Sequence, residues 1–197
     1  MNDHFQAFIV REGSDGTFSS RIETKKFDEL PDHEVTVRVK YSSLNYKDAL
    51  SSIGNKGVTK EYPHTPGIDA AGVVAASTSE KFQEGDQVIV TGYDLGMNTP
   101  GGFSEYIRVP SDWLIKLPET ISLKYAMAIG TAGLTAGLCV DLLLSNCKIE
   151  KKNAIVTGST GGVGSIVIQL LSRLGAQTTA VTSKKDLSDY LTKLGAN

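Results

Sequence analysis

The chain has 197 residues, 40% hydrophobic and 21% charged, the balance of an ordinary globular protein with room for one large domain or two small ones. Its formal charge is −2, from 20 Lys and Arg against 22 Asp and Glu, and the basic residues are scattered, which excludes nucleic acid as an expected partner. Met1-Asn2-Asp3-His4-Phe5 has no basic segment leading into an apolar run, and no uncharged stretch is expected to approach the length needed to cross a bilayer. No membrane partner is therefore expected, and the default location is cytoplasmic.

Up to about residue 120 short apolar runs alternate with Gly, Pro, Asp and Asn, as at Phe5 to Val10, Val35 to Val39, Val88 to Val90 and Tyr106 to Val109, which predicts a mainly β half. One helix interrupts it, Tyr46 to Ile53, capped by Asn45 and stopped by Gly54-Asn55. From Ser122, a helix cap, longer apolar segments at helical spacing follow, with Gly130, Gly133 and Gly137 as breaks or close-packing points. Cys139 and Cys147 stand about two turns apart there, too far along a helix to bridge, and read as buried or half-buried thiols.

Ala154 to Thr157 then reads as a buried strand, Val163 to Leu174 as a helix, Gln177 to Thr182 as a second strand, and Leu187, Tyr190, Leu191 and Leu194 as one helix face. This βαβα order opens a doubly wound sheet. Two strands leave much apolar surface without a partner, so the unit ending at Gly195-Ala196-Asn197 is expected to be incomplete or to depend on another chain.

Between that first strand and helix stands Gly158-Ser159-Thr160-Gly161-Gly162-Val163-Gly164, where backbone amides at a helix start can face a diphosphate. The pattern departs from G-x-G-x-x-G, since Val167 occupies the third glycine's place. The end of the second strand discriminates between cofactors, because an acidic side chain there suits a ribose 2′-hydroxyl, whereas a 2′-phosphate needs hydroxyls and cations. Thr182-Ser183-Lys184-Lys185 precedes the nearest carboxylate, Asp186, and this favours NADPH over NADH.

The order of motifs resembles the medium-chain dehydrogenase/reductase superfamily in its zinc-free quinone-oxidoreductase branch, and is most similar to the acryloyl-CoA reductase family. The resemblance is carried by Ser42-Ser43-Leu44-Asn45-Tyr46-Lys47-Asp48-Ala49-Leu50, Pro66-Gly67-Ile68-Asp69-Ala70-Ala71-Gly72, Gly85-Asp86-Gln87-Val88, Thr91-Gly92-Tyr93, Gly101 to Tyr106, Gly130 to Ala136 and the glycine turn. It implies an α/β protein with a GroES-like β-rich substrate domain at residues 1–121, then an incomplete Rossmann domain at 122–197, with the cofactor in the cleft between them. It also implies a missing tail, and homodimers formed through a Rossmann sheet edge. By motif match, Tyr46 contacts the nicotinamide side of NADPH, Thr160, Gly161, Gly162 and Val163 cradle the diphosphate, and Thr182, Ser183 and Lys184 hold the 2′-phosphate. Thr131 and Thr135 are weaker candidates near the nicotinamide, read equally as helix hydroxyls bonded to their own backbone.

No metal site is expected. Catalytic zinc needs Cys and His ligands from separate motifs, whereas Gly67-Ile68-Asp69 stands where a zinc enzyme carries Gly-His-Glu, and His4, His33 and His64 read as surface or turn residues. Without a Lewis acid the expected chemistry is conjugate reduction of a small molecule, an enoyl thioester or a quinone, whose own conjugation spreads the incoming charge. Tyr46 and Asn45 are the polar groups expected near the reacting atoms, Asn45 as an amide donor to a carbonyl. Asp69, in an apolar segment, is read as a buried carboxylate satisfied by backbone donors ahead of a catalytic role. The glycine turn also suits a short-chain dehydrogenase, but it lies about 150 residues into the chain and no Tyr has a Lys four positions later. A reading from another class is a non-catalytic remnant or dinucleotide-binding module.

Overall fold

A computed structural model of the chain describes residues 3–197; Met1 and Asn2, which open the amino-terminal segment discussed above, lie outside the described residues. The chain divides into two compact units, the first ending at Thr131 and the second beginning at Ala132.

In the first unit β1 (His4–Glu12) and β2 (Phe18–Lys26) form an antiparallel hairpin. β3 (Val35–Tyr41), α1 (Tyr46–Ser52), β4 (Asp69–Ser77), β5 (Gln87–Thr91), β6 (Tyr106–Val109) and β7 (Ile115–Lys116) follow. The five later strands make one antiparallel sheet in the order β6-β3-β4-β5-β7. Its inward positions, among them Val35, Val37, Val74, Val88 and Ile107, form the main core. A smaller cluster of Phe5, Ala7, Ile9 and Leu30 lies under the hairpin. β2 has no apolar alternation to announce it: most of its residues face outward, and it is held by its full register with β1.

β4 is central and begins with small residues for a geometric reason. A Cβ on Gly72 would stand 2.2 Å from the Arg38 carbonyl oxygen, so β3 and β4 approach closely beside the register shift between Val39 and Tyr41.

α2 (Leu123–Asn146) begins in the first unit, where Ala126 and Met127 cluster with Ala71, so the division falls at Thr131 rather than at the expected residue 121. Ser122 caps its start, accepting from the Tyr125 N–H at 3.2 Å. Of the three glycines expected as breaks or close-packing points, Gly130 interrupts the helix, with φ 50° and ψ −158°. The second unit continues with β8 (Asn153–Thr157), α3 (Gly162–Arg173), β9 (Gln177–Val181) and α4 (Ser188–Leu194). β8 and β9 are parallel, pairing Val156 with Ala180, and Val140, Ile149, Val156, Ile168, Leu171 and Leu191 form the core of this unit. Right-handed crossover through α3 is the connection that a parallel pair of this kind requires.

Three expectations are corrected. His64 is buried rather than superficial, because its backbone exchanges hydrogen bonds with Val10 and draws the ring inward. Both cysteines are free, as the spacing implied, but exposed rather than buried, since they lie on faces of the second unit that no described residue covers. α2 is long and apolar enough to cross a membrane, with a mean hydropathy of 1.7 and 22% of that stretch buried, contrary to the expectation that no segment approached this length.

Burial pushes the His64 imidazole below its ordinary value of 6.5, outweighing the Gly96 carbonyl and Asp94, which favour the charged form; Lys25 acts in the same direction as burial. Nε2 has no protein partner, so a proton added there would be a buried donor without an acceptor. The folded pKa is therefore below the unfolded one, and stability present above pH 6.5 declines as pH falls through and below it. Urea midpoints measured from pH 7.5 to 5 are expected to fall, and to fall less steeply in His64→Gln. Gly72→Ala is expected to lower stability by about 2 kcal/mol through overpacking against Arg38, measured by the same unfolding curve at neutral pH.

Candidate functional site

Two carboxylates shape the corner between β3 and α1. Asn45, extended at φ −124° and ψ 157°, is the N-cap of α1, and its N–H donates to Asp48 Oδ2 at 2.8 Å. The other Asp48 oxygen accepts from the Gly67 and Ile68 N–H groups at 3.1 and 2.9 Å. Asp48 thus ties the start of α1 to the entry of β4. Burial pushes its carboxyl above the usual carboxylate range, opposed by the hydrogen bonds from Asn45 and Ile68, while nearby Asp69 adds to the rise.

Asp69, the first residue of β4, is fully buried and accepts four hydrogen bonds. Oδ1 accepts from the Thr131 hydroxyl at 2.6 Å; Oδ2 accepts from the Thr131 N–H at 2.9 Å, from Asn45 Nδ2 at 3.0 Å and from the Ser43 hydroxyl. The anticipated buried carboxylate is present, but side chains supply three of its donors and the backbone only one. Asn45 Nδ2 also donates to Ser43 Oγ at 2.9 Å, so the nitrogen end of the carboxamide is engaged within this knot. That engagement narrows the donor role expected of Asn45, and the capping box of α1 brings the Asp48 N–H to the same side chain as a donor. Thr131 gives its hydroxyl proton to Asp69 rather than to its own helix. A Cβ on Gly130 would stand 2.8 Å from Asp69 Oδ2 and 3.0 Å from Ser43 Oγ, so the break in α2 and the knot require the same glycine. Tyr46 opens α1 with its ring 79% exposed, available to a ligand.

The second unit holds the glycine turn. Gly158 takes φ +59°, and a Cβ on Gly164 would stand 2.5 Å from the Gly158 carbonyl oxygen, so the start of α3 packs directly on the end of β8. Gly161 is the N-cap of α3; no side chain caps this helix and no acidic residue lies in its first turn. The amide cluster at its start is therefore without a side-chain partner. Thr160 Oγ1 lies 3.2 Å from Thr182 Oγ1, which joins the turn to the end of β9, and the Ser159 hydroxyl donates to the Val181 carbonyl at 2.9 Å. The Lys184 N–H donates to Thr182 Oγ1 at 3.1 Å, and the side chains of Ser183 and Lys184 are exposed beside it. A cavity of about 710 Å³ runs along β8, its lining including Ile155, Val163, both cysteines, Gly161 and Gly162.

The structure therefore gathers Asn45 and Thr131 on one carboxylate, and Thr160, Gly161, Gly162, Val163 and Thr182 around one turn. Thr135 is exposed on the α2 segment of the second unit, and Thr131 belongs to the first. Asp48 and Ser43 were not singled out as site residues from sequence. The Asn45-x-x-Asp48 spacing, N-cap to N3, was the signal that could have found Asp48; nothing local marks Ser43. Among the described residues no group of three His, Cys, Asp or Glu side chains is placed to hold a metal ion.

Residues 31–119 match the family model of the alcohol dehydrogenase GroES-like domain. The putative quinone oxidoreductase YhfP of Bacillus subtilis is 44% identical, over 100% of this chain and 60% of its own length. The acrylyl-CoA reductase AcuI of Ruegeria pomeroyi is 41% identical, over 98% of this chain and 59% of its own. Among solved structures, the yhdH oxidoreductase from Salmonella enterica in complex with NADP has a TM-score of 0.92 at 44% identity, over 98% of this chain and 59% of that one. Bacillus subtilis yhfP with NAD bound has a TM-score of 0.93 at 44% identity and the same coverage. The chain thus spans about three fifths of the length of these relatives.

Gly130→Ala is expected to destabilise the first unit by about 2 kcal/mol, from positive φ together with the approach to Asp69. Urea unfolding measures it, and an unchanged midpoint would show that the α2 break is not set by this contact.

Proposed function

We propose that this chain, which resembles the medium-chain dehydrogenase/reductase superfamily, forms the substrate-handling part and first dinucleotide-binding strands of an NADPH-dependent, zinc-independent reductase. Its substrate class is a small conjugated molecule, an acryloyl-CoA-like enoyl thioester or a quinone. The observation that carries the reading is the uncapped start of α3, with Thr160, Thr182, Ser183 and Lys184 at its side and no carboxylate before Asp186. Gly161, Gly162 and Val163 hold the diphosphate with main-chain amides, and Thr182, Ser183 and Lys184 hold the 2′-phosphate with hydroxyls and a cation. The relatives support the cofactor class, since one is described in complex with NADP.

When bound, the reduced nicotinamide supplies a hydride. The residues of the first unit have the remaining tasks: Tyr46 and Asn45 border the reacting atoms, and Thr131 lies on the same knot as Asn45. With an enoyl thioester, conjugate reduction adds hydride to the β-carbon and a proton to the α-carbon while the thioester carbonyl carries the developing charge; a quinone takes up hydride and a proton to give the hydroquinone, its oxygens carrying the charge. The Tyr46 hydroxyl is the first choice as proton source, being exposed at the start of α1. Zinc independence is supported by Gly67-Ile68-Asp69 standing where a zinc enzyme carries Gly-His-Glu, and by Asp69 being committed to four hydrogen bonds within the protein. A cytoplasmic location is part of the proposal, because α2 is broken at Gly130 and carries Lys124 and Asp141, unlike a continuous membrane span.

Fluorescence titration is expected to give a dissociation constant for NADPH at least about tenfold below that for NADH, one 2′-phosphate contact set being worth roughly 1.4 kcal/mol or more. In Thr182→Ala with Lys184→Ala the two constants are expected to converge; equal binding of both cofactors by the parent chain would overturn the cofactor assignment. Tyr46→Phe is expected to lower the rate of NADPH oxidation with acryloyl-CoA or 1,4-benzoquinone by about a hundredfold, the usual scale of general-acid catalysis. An unchanged rate across pH would leave that hydroxyl without a chemical task. NADPH binding without turnover of either substrate would favour a dinucleotide-binding module instead.

A further inference from the structure

We propose that Asp69 is a positioning residue for the reaction at the Asn45–Tyr46 corner, setting which way round the Asn45 carboxamide and the Thr131 hydroxyl face. The inference rests on the function proposed above and adds a residue that does not itself touch substrate or cofactor. A carboxamide has two nearly isosteric ends, and burial by shape alone does not decide between them. Here the decision is chemical. Asn45 Nδ2 faces both Asp69 Oδ2 and Ser43 Oγ, while the Ser43 proton goes on to the same Asp69 oxygen. Reversing the amide would set its oxygen against Asp69 Oδ2, with no proton between them. The carboxamide oxygen is thereby held away from Asp69, and the Thr131 proton is turned inward onto Oδ1.

A merely structural carboxylate in a strand needs only enough donors to offset its burial, and backbone N–H groups suffice, as they do for most of Asp48's bonds. Asp69 instead collects the polar ends of Ser43, Asn45 and Thr131, two of them candidate site residues. Asp48 holds the backbone of the same corner and Asp69 holds its side chains. The peptide groups of Gly67 and Ile68, which bind Asp48, lead directly into Asp69, so the two carboxylates share one rigid support.

The test uses the full chain and Asp69→Asn, which keeps the shape but offers an amide to a ring of donors. NADPH binding, followed by fluorescence, is expected to change by less than about threefold, while kcat with acryloyl-CoA or 1,4-benzoquinone falls by about tenfold to a hundredfold, the scale of a misaligned reacting pair. Independently of activity, the ¹⁵N side-chain amide signals of Asn45, slow to exchange in the parent, are expected to exchange rapidly in the variant. Ser43→Ala removes one arm of the knot and is expected to give an intermediate loss of kcat; it decides the matter if Asp69→Asn does not fold. Unchanged kcat in a folded variant, or Asn45 amide signals that keep their protection, would overturn the proposal. Absence of turnover and cofactor binding in the parent would instead sink the functional reading on which it rests, while the amide signals still report whether Asp69 holds Asn45.

Discussion

Burying a carboxylate is costly unless its lone pairs are filled, and two such groups stand at the turn from Asn45 to Asp69. Asp48 is filled mainly from the backbone and Asp69 mainly from side chains. Each therefore imposes order on whatever must supply the donors. The start of α1 is pinned to the entry of β4, the carboxamide of Asn45 is turned, and the break in α2 at Gly130 is drawn against Asp69. Removing either acid would leave several donors facing one another in a space that water does not readily enter.

The second unit uses the opposite device. At the start of α3 the donors are left without side-chain partners, which an isolated helix would ordinarily correct with Ser, Asp or Asn at the cap. Glycine at the cap keeps the approach open, and the close contact between Gly164 and the Gly158 carbonyl fixes where the amides stand. The hydroxyls of Thr160 and Thr182 meet across the turn, so the glycine turn and the end of β9 are joined directly. One unit thus spends its acceptors internally, and the other holds donors in reserve.

Some features were readable because they are local. The alternation in β1, β3, β5 and β6, the Asn45 cap, the Ser122 cap and the strand, turn and helix around Gly158 depend on neighbours a few residues apart. β2 was not readable, because its stability comes from pairing with β1 and its own side chains face outward. His64 looked like an ordinary turn residue, yet its exchange of backbone hydrogen bonds with Val10 carries it into the interior. The exposure of Cys139 and Cys147 was likewise hidden, since a helical pattern states which residues share a face but not whether that face is covered.

By itself the sequence determined the β-rich first half, the βαβα second half, the amide-lined turn and the hydroxyl and lysine cluster after β9, because glycine placement and apolar period act over short range. Only the tertiary structure decided that Ser43, Asn45 and Thr131 converge on Asp69, and that the nitrogen end of the Asn45 carboxamide faces it. Those partners are separated by 26, 24 and 62 positions along the chain. Hydrogen-bond direction over such separations depends on which strand lies beside which, and no short window of sequence contains that information.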